Sequence, residues 1–201
     1  MGAIVLNGRV EINALDDGEQ ITLHKEALEA LASATNEIVM NFSGAQIIFD
    51  SNAVDTIYNS ITTERICISL VEIPEDHLSR DQFRVVSTLD IERIVSASIL
   101  TEAGEIHDFG GGVAKITIPI GIENGVKYEV IYIAEDGSIE KMDSTVTDDG
   151  IEFTTTHFSS FAIVKVSESN RSHVTVGACI ALAVIATIAA VSIRCAKRKK
   201  R

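Results

Sequence analysis

The sequence predicts a mainly β fold: a small α+β part at the N-terminus, an antiparallel β-sandwich-like domain, then a single transmembrane helix. Three observations carry this expectation. Over residues 63–167, short apolar-polar alternating runs recur with turn signals about a dozen residues apart. Before residue 62, a switch from alternating to helical spacing occurs twice. Near the C-terminus, twenty residues carry no charge and a basic cluster follows at once.

The first part, residues 1–62, holds an internal repeat. Ile21-Thr-Leu-His-Lys-Glu-Ala-Leu-Glu-Ala-Leu31 and Ile47-Ile-Phe-Asp-Ser-Asn-Ala-Val-Asp-Thr-Ile57 align without a gap, 26 residues apart. Ile21, Leu23, Ala27, Leu28 and Leu31 match Ile47, Phe49, Ala53, Val54 and Ile57. Each copy starts with period-two alternation and continues at helical spacing, so each predicts a strand leading into a helix. Ser51 is the expected N-cap of the second helix. A further alternating run precedes each copy, Val10-Glu-Ile-Asn13 and Ile38-Val-Met-Asn-Phe42, with turns expected at Asp16-Asp-Gly18 and Ser43-Gly44. The unit is strand–turn–strand–helix, used twice. Two copies are too few for a solenoid, so the expectation is one α+β layer with helices over a sheet face.

The second part, residues 63–167, predicts strands at Arg65–Ile73, Ile94–Leu100, Ala114–Pro119, Tyr128–Ala134, Ser138–Met142, Ile151–Thr156 and Ser160–Val166. Glu123-Asn-Gly125, Glu135-Asp-Gly137 and Asp148-Asp-Gly150 read as hairpin turns. One helical turn is expected over Leu78–Arg84. Residues 168–173 are a polar linker.

The membrane segment is expected at 174–193, between Val174 and Ile193, through Gly177, Leu182 and Ile185. At 1.5 Å per residue it extends roughly 30 Å, the thickness of a bilayer core. Only Thr175, Thr187 and Ser192 interrupt its apolar surface, too few for the polar face of a core helix. The tail at 194–201 carries Arg194, Lys197, Arg198, Lys199, Lys200 and Arg201, and the positive-inside rule places it in the cytoplasm. Lipid is therefore the expected partner of the C-terminus. All 29 acidic residues precede the span with 11 of the basic ones, which leaves residues 1–173 at −18. Such a surface excludes nucleic acid as a partner.

Of the three cysteines, Cys179 lies in the span and Cys195 follows it, so Cys67 has no disulfide partner in the ectodomain. Its apolar surroundings predict a core thiol. Met1–Val10 has no basic n-region and no apolar stretch of signal-peptide length. Two readings follow: the C-terminal part of a longer exported protein, or a tail-anchored protein with its acidic domain in the cytosol. The first is preferred, because the second sends six positive charges across the bilayer.

No enzyme constellation is evident, and no cofactor or metal site is expected. His24, His77, His107, His157 and His173 show no ligand spacing. Asp16-Asp17 and Asp148-Asp149 are read as turn residues ahead of calcium ligands. Asp108-Phe-Gly-Gly-Gly112 has no Lys-Ser/Thr after it and no helix beginning there, so it is read as a glycine-rich lead-in to a strand or a bulge. The sequons Asn41-Phe-Ser43 and Asn170-Arg-Ser172 matter only where the source glycosylates.

His157-Phe158-Ser159 has one distinct chemical reading. The Ser159 hydroxyl attacks the Phe158 carbonyl with His157 assisting, and water cleaves the resulting ester. The tripeptide resembles the self-cleavage site of autoproteolytic β-domains. The competing and preferred reading has His157 and Ser159 hydrogen-bonded across the last strand while Phe161 fills the core.

Asp108-Phe-Gly-Gly-Gly112, Ile116-Thr-Ile-Pro-Ile120, Tyr128-Glu-Val-Ile-Tyr-Ile-Ala-Glu-Asp-Gly137 and Phe153-Thr-Thr-Thr-His-Phe-Ser-Ser-Phe-Ala-Ile163 together resemble the C-terminal β-domain of Firmicutes cell-surface proteins. The units upstream resemble the repeats that precede that domain, and the likeness spans residues 10–166. It implies an extracellular spacer or presentation module, and not catalysis. S-layer homology repeats and a Leu-Pro-x-Thr-Gly sorting motif do not occur here, so attachment would rest on the helix.

The expected function is thus a non-catalytic, membrane-anchored surface module. One alternative is an adhesin or glycan-binding ectodomain that meets cell-wall or extracellular polymer. With no Trp, three Tyr and seven Phe, mostly core-phased, an aromatic sugar platform is not expected. Self-cleavage at Phe158–Ser159 is the other alternative. The sequence carries no signal for oligomeric state.

Overall fold

The computed structural model describes residues 3–6, 9–14, 18–34 and 37–166. The linker at 168–173, the apolar run at 174–193, the basic tail at 194–201 and the Asp16-Asp17 pair lie outside the described residues. Among the described residues, no helix is long and apolar enough to cross a membrane.

Alternation and turn chemistry set the elements. The N-terminal stretch forms β1 (Ala3–Leu6), β2 (Arg9–Asn13), β3 (Gln20–His24), α1 (Lys25–Ala34), β4 (Glu37–Asn41), β5 (Gln46–Asp50) and α2 (Ser51–Ser60). After it come β6 (Arg65–Glu72), a 3-10 turn at Glu75–His77, α3 (Arg80–Val86), β7 (Ile91–Thr101), β8 (Gly104–Glu105) and β9 (Ala114–Ile118). The chain continues through β10 (Lys127–Ile133), β11 (Ile139–Lys141), β12 (Ser144–Thr147), β13 (Gly150–Thr155) and β14 (Ser160–Val166).

The fold is mainly β and sandwich-like, with two antiparallel-rich sheets. One sheet runs β1-β2-β4-β5-β9-β13-β12, and the other β11-β10-β14-β7-β6-β3, with β8 beside β7. Both expected halves contribute to both sheets. β5 pairs with β9, and β3 pairs with β6. A continuous core runs from Val10 and Ile12 through Phe49, Ile68 and Phe153 to Ile163. Residue 62 therefore marks a change in element content, not a break between two cores. The physical reason is that β3 and β5 each bury one face, Ile21 and Leu23 or Ile47 and Phe49, and need the later strands to complete that burial.

The strand–strand–helix unit does occur twice. β2 and β4 lie parallel with Val10 beside Ile38 and Ile12 beside Met40, so equivalent strands of the two copies are neighbours. The second copy closes as a β4–β5 hairpin, while β3 of the first copy crosses to the other sheet. Lys25 ties α1 to α2, its Nζ donating to the Ile61 carbonyl at 2.7 Å and lying 5.3 Å above the Tyr58 ring. The copies differ in burial at two matched positions, one of them Leu31, half-buried where Ile57 is buried. Ala53 is fully buried and Ala27 is exposed.

Several local expectations change. The N-cap of α2 is Asp50 and not Ser51: the Asp50 carboxylate accepts from Ala53 N at 2.8 Å, and Ser51 is already helical. Glu123-Asn-Gly125 does turn the chain, but it carries it from one sheet to the other and so is not a hairpin. Cys67 is half-buried on the face of β6 away from the core, because Ile66 and Ile68 take the inward phase. The short strands β1, β8 and β12 lie outside the expected strands. β12 offers Ser-Thr-Val-Thr with no buried residue, so it has no apolar alternation to betray it.

The helix expected near Leu78–Arg84 is α3, started by a capping box in which Ser79 and Gln82 satisfy each other's backbone. Gln82 is buried and donates to the Ile133 carbonyl at 3.0 Å. Val86 packs there with Ile94, Ile131, Ile133, Ala162 and Val164 in a second apolar cluster. The middle of the β10–β14–β7 sheet is thereby covered on both faces.

Candidate functional site

Three places bring polar or reactive side chains together: the His-Phe-Ser corner, the end of the last strand, and the outer face of the first sheet.

β13 ends at Thr155 and β14 begins at Ser160, so residues 156–159 carry the chain between sheets. Phe158 turns inward and is 1% exposed. Its ring meets Phe109 edge-on at 4.9 Å and Phe49 at 5.7 Å, while Phe49 and Phe109 lie 5.9 Å apart. The backbone is bonded on every side. Phe158 N donates to the His107 carbonyl at 3.0 Å, Phe109 N to the Thr156 carbonyl at 3.0 Å, and Ala97 N to the Ser159 carbonyl at 3.0 Å. Buried Thr155 donates its hydroxyl to the His157 carbonyl at 2.6 Å.

The imidazole of His157 stands edge-on to Tyr132 at 4.8 Å. Among the described residues it makes no hydrogen bond to the Ser159 hydroxyl. Across the strands, Ser159 is bonded through its carbonyl to β7 and His157 bridges Asp108, so the contacts made there are backbone ones. Phe161 does fill the core, at 0% exposure. Activation of a serine needs a base in hydrogen-bond reach, and this corner instead presents a core plug held by a backbone ladder.

The glycine loop completes the plug. Asp108 bridges His157, and its carboxylate accepts from Gly110 N at 2.6 Å. Gly112 lies so close to α2 that a Cβ there would sit 2.1 Å from Ala53 N, which explains why Ala53 is buried. Asp50 Oδ1 accepts from Val113 N at 3.0 Å as well as from Ala53 N, and Asp50 N donates to the Val113 carbonyl at 3.1 Å. The loop leads into β9, as its sequence suggests, and three of its amides are already bonded within the protein: Gly110 N to Asp108, Gly112 N to the Phe109 carbonyl and Val113 N to Asp50.

β14 lies between β10 and β7. Near its end, Lys165 Nζ sits 2.7 Å from Glu123 and 2.8 Å from Glu92. The hydrogen bond to Glu123, then that to Glu92, holds the lysine well above its ordinary range. Lys165 N also donates to the Asp90 carbonyl at 2.8 Å. The point where the chain leaves the sandwich is thus tied to both neighbouring segments.

The outer face of the first sheet holds a groove of about 490 Å³ that sequence reasoning did not find. Arg9, Asn41, Gln46, Lys115, Thr117 and Glu152 line it. Gln46 Nε2 donates to Asn41 Oδ1 at 2.7 Å, and Asn41 Nδ2 to Asn13 Oδ1 at 2.8 Å. Arg9 pairs with Glu11 at 3.5 Å and Lys115 with Glu152 at 3.2 Å. Periodicity could place each residue on an outer face, but only cross-strand register brings them together. Among the described residues, no cluster of His, Cys, Asp and Glu has the geometry to hold a metal.

A scan against models of known protein families finds no match to this chain, and a search of characterised proteins returns no significant relative.

Proposed function

We propose that the protein is a non-catalytic, membrane-anchored cell-surface module: a β-sandwich displayed outside the cell, held by a helix over 174–193, with the basic tail in the cytoplasm. The observation that carries this reading is the uncharged twenty-residue run followed by Arg194, Lys197, Arg198, Lys199, Lys200 and Arg201. Two features support it. The ion pairs of Lys165 fasten the last strand where the chain heads for the linker, which suits a domain loaded through its C-terminus. The His-Phe-Ser corner is a hydrogen-bonded core element, which favours a structural role over self-cleavage. A spacer role also agrees with the resemblance to surface β-domains.

The test is extraction. Full-length protein is expected to stay in the membrane pellet through an alkaline carbonate wash, and a chain ending at residue 173 to move into the supernatant. Full-length protein washed into the supernatant would overturn the reading.

A further inference from the structure

The outer face of the first sheet carries a polar row that crosses the strands. Asn13 lies beside Asn41, Asn41 beside Gln46, Gln46 beside Thr117, Thr117 beside Glu152, and Glu152 beside Thr145. The row spans β2, β4, β5, β9, β13 and β12, and at the usual strand spacing it is about 24 Å long. Every member is at least partly exposed and carries an amide, a hydroxyl or a carboxylate.

The hydrogen bonding along the row has a direction and leaves capacity open. The amides of Gln46, Asn41 and Asn13 form a donor-to-acceptor chain. Among the described residues, Gln46 Oε1 accepts no hydrogen bond, and the hydroxyls of Thr117 and Thr145 make none. Two open hydroxyls and an open amide oxygen suit a ligand whose groups both donate and accept, and the sugar hydroxyl is such a group.

Charge selects among polymers. The row's one formal charge is Glu152, already paired with Lys115, and Arg9 beside the row is paired with Glu11. Residues 1–173 carry −18, which repels a polyanion. A neutral chain meets no such barrier and leaves the ion pairs intact. A polypeptide would instead be expected along a strand edge, where unpaired backbone groups lie.

We propose that this row is a binding track for a neutral, hydroxyl-rich linear glycan laid across the strands. The track is long enough for several sugar rings, so affinity rises with oligomer length. With no aromatic stacking platform, a single module binds weakly, with Kd of about a millimolar for a hexasaccharide.

The test titrates the full chain in detergent with neutral dimers and hexamers of glucose, N-acetylglucosamine, xylose and mannose, beside heparin and a chitosan hexamer as charged controls. At least one neutral hexamer is expected to bind, and more tightly than its dimer. Each lost hydrogen bond changes affinity about three- to tenfold. Gln46→Ala with Thr117→Val is therefore expected to weaken binding by about tenfold or more, with melting temperature near that of the parent. The proposal is overturned by failure of all the neutral hexamers to bind, by affinity unchanged in the double variant, or by preference for either charged polymer. Binding is read in detergent, so its outcome is independent of whether the chain is anchored in cells.

Discussion

Phe158 illustrates how one residue can be misjudged from its neighbours. Flanked by His157 and Ser159 it looks chemical, yet its ring is locked between Phe49 and Phe109. Removing that ring leaves a cavity at the meeting point of three segments. Phe158→Ala is expected to cost about 3–5 kcal/mol in chemical denaturation, whereas Ser159→Ala should run as the same single intact band as the parent on a denaturing gel. Gly112 and Gly121 offer a second contrast. A Cβ at Gly112 would strike the Ala53 backbone, and one at Gly121 meets nothing within 4 Å. Gly112→Ala should lower the melting temperature markedly, and Gly121→Ala should leave it within a degree or two. Alternation revealed the inward phase of Phe49 directly. The double role of Asp50 was hidden, since its second partner, Val113, lies 63 residues away.

At the scale of elements, the repeat and the last strand were both legible, for different reasons. Matching apolar positions reveal two copies of one unit because burial acts alike on β3 and β5. Pairing depends on which edges are left open, so the parallel contact of β2 with β4 and the transfer of β3 to the other sheet were not readable. β14 shows a plain buried run, and its importance rests on Lys165. Folding raises that lysine above its ordinary value of 10.5, chiefly through Glu123. Its contribution is therefore complete below 10.5 and is lost as pH rises through the higher folded value. In Lys165→Met, Glu92 and Glu123 face each other without their cation. The variant should melt below the parent near neutrality, with the gap narrowing in melts above pH 10.5.

For the molecule as a whole, the sandwich-like class was legible because turn signals and period-two runs recur along residues 63–167. The expected division near residue 62 marks where the strand–strand–helix repeat ends, while both sheets take strands from either side of it. Interleaved strands imply cooperative unfolding. Phe158→Ala and substitutions in the first repeat, such as Leu23→Ala, should lower one common transition when followed by far- and near-ultraviolet circular dichroism. Two separated transitions would indicate independent halves.

Cysteine labelling on intact cells tests the proposed anchoring and its sidedness together. With Cys67 and Cys179 replaced by alanine, an exposed turn position is introduced as Ala103→Cys and Cys195 is kept in the tail. A membrane-impermeant maleimide is then expected to label position 103 on intact cells, and to reach Cys195 only after permeabilisation. Labelling of Cys195 on intact cells, with position 103 protected until the membrane is opened, would overturn the proposed topology.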